Sequence, residues 1–259
     1  MSILTRKKDR EKNFNENLNS NALSAATMFA IKESYKTIRT NILLNLDEKP
    51  CHTIVVTSSL AGEGKSTSSI NVAMSISQFE KKVLMIDADL RKHKASKYMN
   101  LNSSLGLSDI LKKEKTFEEV VNTTKYPNLH FLSSGTRVYN PAEMLGSKAM
   151  TALLQELNTK YDFIILDTPP VNVVSDALPL IKQSDGVVIV AREMVVTNKD
   201  FKKLLVNLEM IKANILGLIY IGTDSTQPYY HSRDYYGKYG KYSYYAKRYG
   251  YDNYNDIQQ

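Results

Sequence analysis

HTIVVTSSLAGEGKST, residues 52–67, joins a β-branched run to a glycine-containing turn that ends in GKST. The run reads as a strand, and a helix fits Ser66–Gln78. Gly62 and Gly64 let the backbone turn its N–H groups around phosphate oxygens. Lys65 supplies charge to the β- and γ-phosphates, and the Ser66 hydroxyl is suited to Mg²⁺. The N-terminus of the following helix adds a partial positive charge. The nucleotide-binding set expected here is Ala61, Gly62, Glu63, Gly64, Lys65, Ser66 and Thr67. A phosphate loop usually opens on glycine five residues before the last one, and Ser59 stands there. A fortuitous glycine turn is the competing reading. The strand–turn–helix context argues against it.

Outward from this stretch, strand and helix signals alternate. Strands are expected at 52–58, 82–87, 128–135, 162–167, 186–191 and 215–222. Helices fit Thr27–Leu46, Ser147–Asn158 and Asn198–Lys212, with a weaker signal over Leu107–Lys113. The strands are continuous apolar runs, as strands buried on both faces are. The expected fold is α/β, a doubly wound and mostly parallel sheet flanked by helices. Ligands of such sheets bind beyond the carboxyl ends of the strands.

Two acidic strand ends fall at those positions. VLMIDADLR (83–91) ends a strand on Asp87, with Asp89 and Arg91 beyond it. FIILDTPP (163–170) ends one on Asp167. A carboxylate closing an apolar strand is costly unless compensated. Mg²⁺ with its waters would compensate it, because Mg²⁺ takes one or two carboxylates plus phosphate oxygens. The metal set read here is Ser66, Asp89 and Asp167, and the catalytic set is Lys65, Asp87 and Asp89. Asp87 and Asp89 would share a face on extended backbone, so both could face the phosphates. A lone Asp167 would read equally well as a cap or turn residue.

Composition sets the bounds. The chain has 259 residues, 42% hydrophobic and 24% charged, the balance of a soluble globular protein. No apolar run approaches the roughly 20 residues needed to span a membrane. The N-terminal residues 1–26 are polar and lack the apolar core of a signal peptide. A single cysteine, Cys51, excludes an internal disulfide and fits a reducing cytoplasm. The net charge of +7 is spread along the chain and reads as a solvated surface.

Residues 229–259 hold eleven of the seventeen tyrosines: Tyr229, Tyr230, Tyr235, Tyr236, Tyr239, Tyr242, Tyr244, Tyr245, Tyr249, Tyr251 and Tyr254. Leu and Val are absent there and Ile257 is the only Ile, so the segment cannot build a core and is expected to be a disordered tail. Its phenols could serve as phosphate acceptors. Stacking on nucleic-acid bases, or an inert linker, are the alternatives.

GEGKST, MIDADLR and ILDTPP in that order, followed by a C-terminal tyrosine cluster, resemble the bacterial tyrosine kinases of capsule and exopolysaccharide synthesis. KESYKTIRTNI (32–42) is similar to that family's oligomerisation helix: Glu33 and Arg39 match, and Lys36 replaces an arginine, losing its bidentate fork. SGTRVYNPAEML (134–145) is similar to another family segment, although Asn140 capping a helix with Pro141 at its first position explains it equally well. The resemblance implies an ATP- and Mg²⁺-dependent kinase, with Lys65, Asp87 and Asp89 catalytic, acting on tail tyrosines of neighbouring copies. It implies a ring-shaped homo-oligomer, a separate transmembrane activator whose cytoplasmic end switches it on, and an opposing protein-tyrosine phosphatase. No nucleic-acid partner is implied, and the location is cytoplasmic, held to the inner face of the membrane by the activator. The domains read as a polar segment 1–26, a kinase domain 27–226 with its oligomerisation helix, and a tail 227–259. The alternative is an ATPase switch of the MinD/ParA type. Those carry a signature lysine in the loop where this chain has Leu60, and they have no use for a tyrosine tail.

Overall fold

The computed structural model describes residues 25–222, except 93–94, 100 and 102–103. The tail 227–259 with its eleven tyrosines, and nearly all of the polar segment 1–26, lie outside the described residues. Residues 25–34 and residues 35–222 belong to separate compact units. The first holds the start of helix α1 (Ala25–Leu44). The second holds the described residues from Tyr35 onward.

Among the described residues seven strands form one sheet: β1 (His52–Ser58), β2 (Val83–Asp87), β3 (Val121–Thr123), β4 (Leu129–Leu132), β5 (Phe163–Asp167), β6 (Gly186–Arg192) and β7 (Ile215–Ile221). Their order is β3-β4-β2-β5-β1-β6-β7, parallel except for β3, which runs antiparallel to β4. The expected doubly wound fold is thus present, with strand order reversing around β1.

Alternate residues of each central strand enter opposite cores, which is why the strands read as unbroken apolar runs. Val55, Leu84, Ile86, Ile164 and Leu166 point into one core. Ile54, Val56, Met85, Phe163 and Ile165 point into the other. The first core is closed by α4 (Leu107–Leu111), α5 (Phe117–Val120), α6 (Pro141–Leu145), α7 (Lys148–Leu157), α8 (Ala177–Gln183) and α9 (Asn198–Met210). The second is closed by α2 (Lys65–Ser77), α3 (Ala95–Tyr98) and the Tyr35–Leu43 part of α1.

Four departures from the sequence expectation have local causes. The third expected strand, 128–135, ends at Leu132, because the Ser133 and Ser134 carbonyls accept the N–H groups of Leu107 and Ser108 instead of a ladder partner. The edge strand β3 is too short to carry a periodic signal. β7 is not buried on both faces: as the opposite edge it exposes Ile215 and Leu218. The Asn140–Pro141 helix start is present, but the Asn140 amide donates to Glu143 at 2.6 Å and makes no side-chain cap bond. Among the described residues no helix is long and apolar enough to cross a membrane.

Candidate active site

The loop between β1 and α2 turns twice through left-handed backbone, at Gly62 (φ 88°) and Gly64 (φ 90°). A side chain at either would be strained. At Gly64 a Cβ would also approach Ile221 Cδ1 to 2.8 Å. Gly64 caps α2 without any side-chain hydrogen bond, which leaves that helix end to an anion. Glu63 is fully buried, and its carboxylate accepts the N–H groups of Leu60 and of Arg192 at the end of β6. It braces the loop from beneath.

Above the strand ends lies a cleft of about 350 Å³. The loop forms one side through Ala61, Gly62, Gly64, Lys65, Ser66 and Thr67. The segment after β2 contributes Asp89, Arg91, Lys92 and Tyr98. The segment after β5 contributes Pro169, Pro170, Val173 and Val174, and β6 contributes Arg192. Six of the seven residues expected to hold nucleotide, all but Glu63, line this one cavity.

Asp87 and Asp167 do not line the cleft; they are buried at the strand ends below it. They are paired in register on adjacent strands. Asp167 Oδ1 accepts the Ser69 hydroxyl at 3.1 Å. Burial raises its pKa to about 6, against the Lys65 charge and the hydrogen bonds of Ser66 and Ser69 that favour the anion. The carboxyl of Asp87 is pushed well above the usual range by burial first, then by Asp167 and Asp89. Asp87 Oδ1 accepts the Asp89 N–H at 3.2 Å, whereas its Oδ2 is buried with no hydrogen-bond partner among the described residues. A buried polar atom without a protein partner is open to water, an ion or a ligand group.

Asp89 therefore does not simply share the face of Asp87. The chain turns at Asp89, whose Oδ1 accepts the N–H groups of Arg91 and Lys92, both at 3.2 Å. Asp89 stands in the cleft and Asp87 beneath it. Among the described residues there is no cluster of three or more His, Cys, Asp or Glu side chains to cage a metal. The donors present are oxygens, from Ser66, Asp89 and Asp167, and such a sparse set suits Mg²⁺ completed by water and phosphate.

Sequence reasoning missed two features. Arg91 forks onto Asp176 just before α8, with Nε–Oδ2 at 2.6 Å and Nη2–Oδ1 at 3.0 Å. This ties the segment after β2 to the segment after β5 across the cleft. Arg91 belongs to the MIDADLR motif, whereas no sequence pattern marks Asp176. Arg192 was also missed; it follows an apolar run with no local signal. Of the expected oligomerisation residues, Glu33 and Lys36 lie on α1. Arg39 is used within the chain: its Nη1 donates to the Ser75 carbonyl at 2.8 Å, and its guanidinium lies 5.0 Å from the centre of the Phe79 ring.

The AAA domain family matches residues 51–219. Tyrosine-protein kinase YwqD of Bacillus subtilis is 38% identical over 208 residues, which are 80% of this chain and 86% of that protein. The kinase domain of Escherichia coli tyrosine kinase ETK superposes with a TM-score of 0.71 at 28% identity, covering 78% of this chain and 80% of that one. MinD of Pyrococcus horikoshii, solved with Mg-ADP, has a TM-score of 0.58 at 22% identity, over 68% of this chain and 72% of that one, a likeness of fold alone. The relatives with the greater identity are kinases, and the nucleotide loop shares one cleft with Asp89, above the buried acidic strand ends Asp87 and Asp167. The chain is a nucleotide-binding enzyme and belongs to the bacterial tyrosine kinases of the capsule and exopolysaccharide family.

Proposed function

We propose that the chain transfers the γ-phosphoryl group of ATP to tyrosine phenols of the 229–259 cluster in a neighbouring copy. The observation that carries this reading is Asp87 Oδ2, which has no hydrogen-bond partner among the described residues and is buried at the strand end below Asp89 and the phosphate loop. The loop amides at Gly62 and Gly64 and the Lys65 ammonium would hold and orient the phosphates. Positioning and electrostatics do most of the work in such transfers. Ser66, Asp89 and Asp167 would hold Mg²⁺, which supplies charge neutralisation between the phosphates.

Asp87 is assigned to orient the acceptor phenol and to take its proton on Oδ2. A phenol has a pKa near 10 and an ordinary carboxylate near 4, a poor match. The raised pKa of Asp87 narrows that gap. A loose transition state, in which the proton can leave late, narrows the demand further.

The same reading covers assembly. Residues 229–259 hold five Lys or Arg and three Asp. Each phosphate adds roughly −1.5 to −2 charge, so a few reverse the sign of the tail. Repulsion between neighbouring tails would loosen a ring built through Glu33, Lys36 and Arg39, and a protein-tyrosine phosphatase would restore it. The cytoplasmic end of a transmembrane activator would hold the chain at the inner face of the membrane and switch it on. Control of capsular or exopolysaccharide synthesis and export follows from the family. Nucleic acid has no part in this reading.

The test is incubation of the purified chain with Mg·ATP, with and without the cytoplasmic end of a candidate activator, followed by a phosphotyrosine blot. Signal is expected in the activated wild type and not in Lys65→Met or in a chain truncated after Gln227. An activated wild type without signal would sink the kinase reading, and signal that survives truncation would move the acceptor elsewhere.

A further inference from the structure

The wall of the cleft beyond the phosphate loop is apolar. Pro169, Pro170, Val173 and Val174 face the segment that carries Asp89, Lys92 and Tyr98. Val173 is 58% exposed and Tyr98 62% exposed, an apolar surface inside a site built for charge. The two walls are fixed relative to each other by the Arg91–Asp176 fork. A slot with apolar sides beside Asp89 fits an aromatic ring whose hydroxyl points to the acids.

The charges around this slot sort by what already engages them. Arg91 is paired with Asp176. Lys65 belongs to the phosphate loop, and Arg192 enters from β6, on the far side of β1. Asp89 accepts two backbone N–H groups. Lys92 is left. Its backbone is pinned to Asp89, and its exposed ammonium has no ion-pair partner among the described residues.

We infer that Lys92 and the Pro169–Val174 wall form an acceptor subsite selecting a tyrosine that has an anionic neighbour, a carboxylate or the phosphate of an adjacent phosphotyrosine. This rests on the kinase reading above and deepens it by ranking the acceptors. The occupant is the tail of a second copy, and charge complementarity does the ranking. Asp234 precedes Tyr235 and Asp252 follows Tyr251. Lys238, Lys241 and Arg248 precede Tyr239, Tyr242 and Tyr249. Lys92 attracts the first pair of sites and repels the other three.

The test compares full-length wild type, Lys92→Gln and Lys92→Glu, each with Mg·ATP and the activator's cytoplasmic end. Site occupancies are read by mass spectrometry before one phosphate per chain has been added. Wild type is expected to fill Tyr235 and Tyr251 ahead of Tyr239, Tyr242 and Tyr249. Exposed ion pairs are weak, so neutralisation should lower that preference about 2- to 5-fold and reversal should lower it further. Because the readout is a ratio within one chain, a variant with lower total activity still reports. Asp234→Asn lowering Tyr235 alone identifies a carboxylate as the occupant. Tyr244→Phe lowering Tyr245 at later times identifies a phosphate. An unchanged ratio across the three proteins overturns the subsite. Absence of phosphotyrosine from activated wild type counts instead against the kinase reading.

Discussion

Asp87 and Asp167 are register partners at the carboxyl ends of the adjacent parallel strands β2 and β5, both essentially inaccessible to solvent. Two carboxyls in that position cannot both ionise cheaply. The fold keeps them against its own stability, a cost typical of functional sites. Asp87→Asn removes the repulsion and gives a buried position a neutral side chain. The expected outcome is an unchanged or higher Tm at neutral pH, with phosphotyrosine formation down by about 10²–10⁴, the range of a lost general base. Calorimetry and a timed phosphorylation assay check the two halves. A large fall in Tm would show that Asp87 is structural.

The Arg91–Asp176 fork supports a second expectation. Asp176 is 1% exposed at its side chain, whereas Arg91 is 44% exposed. Removing the arginine strands a buried carboxylate. Arg91→Ala should therefore cost about 1–3 kcal/mol, the range for losing charged hydrogen bonds, and more than Asp176→Asn. Arg91→Lys should recover only part of it, because an ammonium cannot make the fork. Urea unfolding of the singles and the double gives the coupling energy, and additive losses would show that the fork contributes nothing.

The sheet was legible because its central strands are buried on both faces: β2 and β5 carry no polar residue until the acids at their ends, and β1 and β6 keep unbroken apolar middles. The phosphate loop was legible because left-handed turns at Gly62 and Gly64 leave a glycine signature. Residue-level roles were less so. Glu63 sits in the loop, yet its carboxylate reaches Leu60 and Arg192, a use that depends on how β6 is placed. Asp89 follows Asp87 by two residues, yet Asp89 lines the cleft at the start of a turn while Asp87 is buried beneath it. Asp176 became visible only when the β5 and β2 segments were brought together. Long-range partners of charged side chains leave no local pattern, and most of what the sequence missed was of that kind.

His52 gives the pH dependence. Its Nδ1 is buried without a partner among the described residues, and its ring lies 5.3 Å from that of Phe163. Burial lowers its pKa from the ordinary 6.5, outweighing the pull of Asp185. Asp47 also favours the charged form, while Lys49 and Lys81 oppose it. The folded state thus binds the proton more weakly than the unfolded chain. The stability this contributes is present above pH 6.5 and is lost as pH falls through the lower folded value. His52→Phe keeps a ring against Phe163 and has nothing to titrate. Its stability relative to wild type should rise as the pH is lowered from 7 to 5 in parallel urea titrations. A gap that stays constant with pH would exclude His52 as the titrating group.

Arg39 decides whether the helix motif acts within a chain or between chains. Its bond to the Ser75 carbonyl and its position over Phe79 hold α1 against α2 in the same copy. Arg39→Ala should therefore lower the stability of the dissociated protein, by about 1–2 kcal/mol given one charged hydrogen bond and one cation–π contact. Phe79→Ala removes the stacking surface without touching the arginine's charge. The two losses should be less than additive by about 0.5–1 kcal/mol. Assembly mass, measured by light scattering on the same variants, then separates the roles. If Arg39→Ala weakens assembly and an equally destabilised Phe79→Ala does not, the guanidinium also acts across the interface. If both weaken it in proportion to their loss of stability, assembly depends on α1 being docked, and Arg39 serves it from within its own chain.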